Sequence, residues 1–175
     1  EEVIASLDRT HQLVVHGIYE LPVGRSRWYG GWQLGWIYQA QSGAPLGVGD
    51  PVITGPFQIS DLVLPEPQRK PERYVNTDVN LNKVAARAFV YHLNTMSTRF
   101  GALRSDGINQ WDLSLSKQWR LRESLALRFQ TQWLNAFNHV TFGSPNLTST
   151  STAFGTVTSE SSLPRTIRWG LRLEF

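Results

Sequence analysis

The sequence has 175 residues and no cysteine, which excludes a disulfide scaffold, a thiolate metal site and a cysteine nucleophile. Charged residues make up only 18% of a chain that holds seven Trp, five Tyr and eight Phe. A soluble domain can have this composition. A membrane β-barrel can have it too, because its strands alternate apolar and polar residues and their mean hydropathy is unremarkable. The net charge is +3 and the basic residues are scattered, so we expect no nucleic-acid partner.

Alternation of apolar and polar residues predicts five β-strands. In chain order they lie near residues 11–21, 31–41, 110–120, 124–135 and 166–175. The third segment shows the pattern most clearly, because Trp111 and Leu113 alternate with polar residues and only Lys117 interrupts the apolar face. Each segment is about 10 to 12 residues long, whereas a tilted bilayer-crossing strand needs ~9–11 residues and a globular strand averages ~5–6.

The connections between these segments alternate between short and long. Residues 22–30 and 121–123 are short turns, whereas residues 42–109 and 136–165 are long loops. Outer-membrane barrels alternate short periplasmic turns with long extracellular loops. The sequence therefore predicts an all-β fold over residues 1–175, an antiparallel transmembrane β-barrel segment.

The long loops differ in composition. Residues 42–109 hold most of the prolines and are predicted to be irregular and partly extended, with one or two helical turns over residues 81–89. Residues 136–165 are rich in Ser and Thr, which is typical of a solvated loop.

Aromatic residues lie near the ends of the predicted strands, where amphipathic rings would form girdles at the membrane interface. The candidate interfacial residues are Trp28, Trp32, Trp111, Trp119 and Trp133. Phe175 closes the last alternating strand and resembles the C-terminal signal that the barrel-assembly machinery reads.

Three arginines, Arg128, Arg168 and Arg172, share the predicted lumenal side of the last two strands. They are candidates for a basic lining that contacts a plug or an anionic solute. The alternative interpretation is ordinary ion pairing with the nearby Glu174.

The sequence gives no support for catalysis. Residues 114–117 match Ser-x-x-Lys, but strand alternation puts Ser114 and Lys117 on opposite faces, so we interpret the match as chance. Nothing places a nucleophile or a base beside Asp106 and Asp112. The histidines lack the spacing of metal ligands; they are His11, His16, His92 and His139. We expect no catalytic residue, no metal site and no cofactor.

Most of the chain is covered, in order, by stretches that together have a recognisable pattern. They are residues 11–22, 31–46 (GWQLGWIYQAQSGAPL), 111–117 (WDLSLSK), 129–139 with Phe142-Gly143, and 164–175 (PRTIRWGLRLEF). These stretches resemble the C-terminal part of TonB-dependent receptors of the Oar-like type. Such receptors are abundant in Acidobacteria and carry an N-terminal carboxypeptidase-regulatory-like domain.

The resemblance implies a barrel of about 22 strands with a plug in its lumen, energised through TonB. The sequence shows neither a plug nor a TonB-contact segment, so we expect the last five strands of a longer receptor, completed by its N-terminal strands and plug. Gln132 stands where the family pattern has an acidic residue, which puts a lumenal charge there in doubt.

The leading hypothesis is therefore a receptor segment in the lipid of a Gram-negative outer membrane. It would take up a scarce solute, a carbohydrate, peptide or metal chelate, without catalysis. The alternative is a soluble β-sandwich that binds carbohydrate by stacking sugar rings on Trp32 and Trp36. A basic nucleic-acid binder is a third and weaker idea.

Overall fold

The structure is a computed structural model that describes residues 4–24, 26, 28–49, 51–88, 91 and 96–175. The chain divides into two compact units. The first unit comprises residues 1–10, 42–107 and 141–161. The second unit comprises residues 11–41, 108–140 and 162–175.

The described residues form strands of very different lengths. In chain order these are β1 (Gln12–Glu20), β2 (Trp32–Gln41), β3 (Pro45–Leu46), β4 (Phe100–Arg104), β5 (Ile108–Arg122), β6 (Leu125–Leu134) and β7 (Thr166–Glu174). The five long strands lie within two residues of the predicted segments, and β5 extends furthest beyond its prediction. The short strands β3 and β4 lie in the loop that we predicted to be irregular.

The second unit is a single antiparallel sheet with the order β1-β2-β5-β6-β7. One row of its register runs through Gly17, Trp36, Leu113, Trp133 and Ile167. Because side chains alternate across a strand, this register places the apolar sets of all five strands on the same face. The sheet is open, since in the described part of the chain β1 and β7 each pair on one side only.

The two ends of this sheet differ in their connections. At the short-turn end, residues 21–31 join β1 to β2 and the turn Glu123-Ser124 joins β5 to β6. At the long-connection end, β2 leads to β5 and β6 leads to β7 through the segments that supply the first unit. A register shift between Arg120 and Arg122 lengthens β5 at the short-turn end.

The first unit has a hydrophobic core built from the two long loops. Its buried residues are Val48, Leu62, Tyr74, Val75, Leu81, Leu103, Phe154 and Val157. The paired strands β3 and β4 contribute, and Arg104 on β4 binds the Asp8 carboxylate at 2.7 Å. The expectation of a solvated loop is wrong for Phe154, Val157 and the buried Ser149, whose hydroxyl donates to the Asn82 carbonyl at 2.9 Å. Apolar residues of one loop are covered by those of the other.

Helical structure among the described residues is limited to short 3-10 turns. These are Ile59–Leu62, Glu66–Gln68 and Ala85–Arg87, all in the first unit. The last lies in the stretch predicted to contain helical turns, while Phe89 at the end of that stretch lies outside the described residues. No helix in the described ranges is long and apolar enough to span a membrane.

Candidate functional site

The five-stranded sheet presents two chemically different faces. The apolar face carries Leu13, Val15, Tyr19, Trp32, Leu34, Trp36, Tyr38, Trp111, Leu113, Leu115, Lys117, Trp119, Leu127, Phe129, Thr131, Trp133, Ile167, Trp169, Leu171 and Leu173. The polar face carries mostly Gln, Ser, Arg and Glu, with Val14, Ile18 and Ile37 as apolar exceptions near β1. Ser114 and Lys117 fall on opposite faces, as the strand alternation predicts.

The few buried positions of this sheet are polar, and its large apolar side chains are not buried. Within its five strands only Lys117 and Thr131 are buried, and both are polar. The large apolar side chains of the same face are half-buried or exposed. In the part of the chain that the structure describes, the apolar side chains of this face therefore remain accessible at the surface.

Lys117 is the most unusual residue of the apolar face. The register places it between Trp32 on β2 and Phe129 on β6. On the same face, only the row of Trp119 and Leu127 lies closer to the short-turn end. Its ammonium donates a hydrogen bond to the Trp28 carbonyl. It also lies 5.4 Å from the ring centre of Trp32 and 5.1 Å from that of Trp119. Such cation–π contacts let a charge sit among apolar side chains at reduced cost.

Aromatic rings surround this lysine. Trp32 contacts Trp119 edge-on with a centroid distance of 6.0 Å, and it contacts Phe129 in the same way at 6.1 Å. We call Lys117, Trp28, Trp32, Trp119 and Phe129 the lysine–aromatic cluster. Three predicted interfacial residues thus gather at the short-turn end. Sequence alternation marked Lys117 as an interruption of the apolar face but did not show that it joins them.

A second aromatic group lies at the long-connection end. Trp111 stacks on Tyr38 with 4.6 Å between ring centres, and Phe137 meets Trp111 edge-on at 6.1 Å. Trp133 occupies the penultimate position of β6. Trp36 and Trp169 lie in rows between the two groups, so the aromatic residues are not confined to the sheet ends.

The predicted arginines lie on the polar face, where two of them meet the same carboxylate. Arg128 and Arg172 approach Glu174 at 3.8 Å and 3.6 Å, and the Gln118 amide donates to Glu174 at 3.4 Å. Arg168 lies opposite Gln132 and has no ion pair in the part of the chain that the structure describes. Exposed ion pairs of this kind contribute about 0–1 kcal/mol.

Asn135 forms a polar junction that the sequence patterns did not reveal. Its backbone N–H donates to the Asp112 carboxylate at 2.8 Å, and its side-chain amide donates to the carbonyls of His139 and Leu163, each at 3.0 Å. Its φ of 49° is one that Asn tolerates better than most residues. Asp112 therefore acts as a structural acceptor, as Asp106 does in the first unit by accepting the Phe142 N–H.

The remaining candidates occupy separate positions. His16 lies on the polar face of β1, whereas His92 lies outside the described residues. Among the described residues no group of His, Cys, Asp and Glu could hold a metal ion. Phe175 follows β7 and is fully exposed.

Comparison with known proteins gives one finding. The family model described as "Outer membrane beta barrel domain" matches residues 2–168 of the chain. No curated protein and no solved structure matches.

Proposed function

The chain belongs to the family of outer membrane beta barrel domains and lies in the outer membrane, and from that premise we propose that it is part of a TonB-dependent uptake receptor. Its sheet would form a section of the barrel wall. The receptor would carry a scarce solute, a carbohydrate, peptide or metal chelate, and would perform no catalysis.

The observation that supports a place for this sheet in a barrel wall is the exposure of its apolar face. Trp169 and Leu171 on the apolar face are exposed, whereas Lys117 is buried. In a barrel wall the apolar side chains face hydrocarbon and the polar ones face the lumen, so such a face needs no second protein layer. Strand pairing also satisfies the backbone polar groups that lipid cannot.

The two ends of the sheet support an orientation. Short turns of barrels lie in the periplasm, so we place the short-turn end with its lysine–aromatic cluster at the periplasmic interface. A cation is costly at the bilayer centre but tolerated near the interface, which agrees with Lys117 lying opposite Trp32, the first residue of β2. The long-connection end, with Trp111, would then lie at the extracellular interface.

The assignment to a TonB-dependent receptor rests on the Oar-like stretches in the sequence. If it holds, the outer edges of β1 and β7 pair with further strands of the same receptor, and a plug occupies the lumen. TonB would act indirectly through that plug, and the barrel-assembly machinery would insert the protein. Arg128, Arg168 and Arg172 would line the lumen near the plug or the solute.

The soluble β-sandwich has less support. A sandwich covers its apolar face with a second sheet, and the described residues of this unit form one sheet. Trp32 already contacts Trp119 and Phe129, and the Trp36 ring occupies the space above Gly17. Neither ring is therefore presented as an open platform for sugar stacking.

An uptake assay in a Gram-negative host tests the proposal. The receptor would be produced in cells with and without a functional TonB system. Labelled oligosaccharides, peptides and ferric chelates would be offered at nanomolar concentration. We expect one class to accumulate only when TonB is intact. Accumulation that is equal in both strains would indicate a passive pore, and it would overturn the TonB-dependent assignment.

A further inference from the structure

The polar face contains a pocket near the short-turn end. Its volume is about 400 Å³, which falls within the range of roughly 300–1,000 Å³ typical of small-molecule sites. Residues from β2, β5 and β6 and from the turn before β2 line it; they are Gly31, Gln33, Ser116, Lys117, Gln118, Arg128 and Gln130. Lys117 is the one lining residue that also belongs to the lysine–aromatic cluster, and its ammonium donates to the Trp28 carbonyl.

The strand register explains why this region is concave. Ser116 lies between Gln33 and Gln130 in one row of the sheet. Gly31, with a φ of 77° that favours glycine, precedes β2 beside the neighbouring row. Gly31 has no side chain and Ser116 has a short one, whereas the neighbouring Gln33, Gln118 and Gln130 have long amide side chains.

The walls hold unused hydrogen-bonding capacity. In the described part of the chain, the side chains of Ser116 and Gln130 make no hydrogen bond. Gln33 donates to Glu20 at 3.3 Å and Gln118 donates to Glu174 at 3.4 Å, which leaves both amide oxygens available. Primary amides and hydroxyls both donate and accept, so they suit the hydroxyl groups of a sugar.

The charge across the pocket is uneven. On the β6 side, Arg128 and Arg172 share the single carboxylate of Glu174, which leaves an excess positive charge. On the β2 side, Glu20 contributes a negative charge beside Gln33. A guanidinium binds a carboxylate through paired hydrogen bonds. A ligand would therefore place an acidic group toward Arg128 and its hydroxyl groups toward Gln33.

We propose that this pocket binds a sugar acid, with Arg128 receiving the carboxylate and Gln33, Ser116 and Gln130 receiving the hydroxyls. This assignment rests on the uptake function proposed above and names the class of its solute. If the short turns are periplasmic, the pocket is a subsite that the solute meets late in its passage.

Calorimetric binding to the purified receptor in nanodiscs tests the proposal. The probes are digalacturonate, its neutral counterpart galactobiose, and galactose 1-phosphate. We expect digalacturonate to bind at least about tenfold more tightly than galactobiose, because only the former gains a charge-assisted hydrogen bond. Equal affinity for these two disaccharides would overturn the proposal, and tighter binding of galactose 1-phosphate would reassign the site to phosphate.

Two variants and a matched control separate the roles of the pocket residues. Arg128→Gln should abolish the preference for digalacturonate while binding of galactobiose stays unchanged. Gln130→Leu should weaken both disaccharides. Gln39→Leu is the matched control, since Gln39 is an exposed amide on the same face but outside the pocket. An unaltered preference in Arg128→Gln would refute the role of that arginine.

These outcomes can be distinguished from failure of the proposed function. The calorimetric experiment measures binding to the purified receptor in nanodiscs, and it needs no TonB. TonB-dependent uptake of another solute without digalacturonate binding would refute the proposed subsite and support the proposed receptor function. Digalacturonate binding without TonB-dependent uptake would support the proposed subsite and refute the proposed receptor function.

Discussion

In the first unit the least exposed side chains are hydrophobic, whereas in the sheet of the second unit they are polar. Leu62 and Val75 are 0% and 1% exposed in the first, and Lys117 and Thr131 are 2% and 3% exposed in the second. This contrast is the one expected if the two regions meet different solvents. The first unit follows the pattern expected in water, and the sheet follows the pattern expected in lipid.

The difference has a simple physical origin. Apolar residues in water gain free energy by packing together, as Phe154 and Val157 do with residues of the other long loop. In hydrocarbon that driving force is absent, because lipid tails are as apolar as the side chains. A polar side chain on a lipid-facing wall must instead be covered by the protein. The Lys117 ammonium, covered by two Trp rings and bonded to a carbonyl, shows this behaviour.

The largest expected effect is a cavity in the first unit. Leu62→Ala should destabilise that unit by about 2–5 kcal/mol, because a packed core cannot close around the missing atoms. Hydrogen exchange of the first unit in the membrane-embedded protein would measure the loss. Leu171→Ala is the comparison, since fluid lipid fills the space that it leaves. Equal losses at the two sites would argue against the contrast between the units.

Charge placed on the two faces of the sheet should give the next largest effect. Leu171→Arg puts a cation on the apolar face and should cost up to about 2–4 kcal/mol in a bilayer. Gln132→Arg puts the same group on the polar face opposite Arg168, so like-charge repulsion limits the expected cost to about 1 kcal/mol or less. Urea unfolding in liposomes would compare them. A larger loss for Gln132→Arg would show that the faces are assigned the wrong way round.

Removal of the buried ammonium should have an intermediate effect. Lys117→Met keeps an unbranched side chain but leaves the Trp28 carbonyl without its donor, so we expect destabilisation of about 1–3 kcal/mol. The Trp emission spectrum should shift as the lysine–aromatic cluster loosens. Lys83→Met, at an exposed position of the first unit, serves as the control. An unchanged spectrum and stability in Lys117→Met would mean that the cluster does not depend on the ammonium.

The smallest effect concerns Tyr74 in the first unit. Burial raises the pKa of this tyrosine above its ordinary value of 10.0; Asp106 acts in the same direction, and Arg69, 5.4 Å from the ring centre, opposes it. The unfolded chain therefore ionises first, and the stability of the unit should fall as the pH rises above about 10.

Tyr74→Phe isolates that dependence. At pH 7 it should change stability by about 1 kcal/mol or less, and at alkaline pH it should lessen the decline. Hydrogen exchange corrected for pH would follow both proteins. A decline that is identical in the two would assign the alkaline sensitivity to other groups.

The strands could be predicted because their information is local. Residues such as Trp111 and Asp112 alternate in a run long enough to define both faces. The core of the first unit could not be predicted in this way, since its residues come from two irregular loops without periodicity. The junction at Asn135 depends on Leu163, a partner distant in the sequence.

The site was predictable only in part for the same reason. Alternation identified Lys117 as an interruption of the apolar face, but its burial depends on a turn and a neighbouring strand. The sequence already indicated that Glu174 could form ion pairs with the arginines. Arg128, Arg172 and Glu174 lie on two predicted neighbouring strands, and the structure pairs both arginines with this carboxylate. The pocket around Ser116 required the register of three strands, which alternation alone does not supply.

Which face of the sheet contacts lipid can be measured directly, because the chain has no native cysteine. Single cysteines at residues 113, 114, 115 and 116 of β5 would carry a nitroxide in the membrane-embedded receptor. We predict that positions 113 and 115 are accessible to oxygen from the bilayer, whereas 114 and 116 are accessible to a water-soluble nickel chelate. The reverse alternation, or equal access to the chelate at all four positions, would contradict the assignment of the apolar face to lipid.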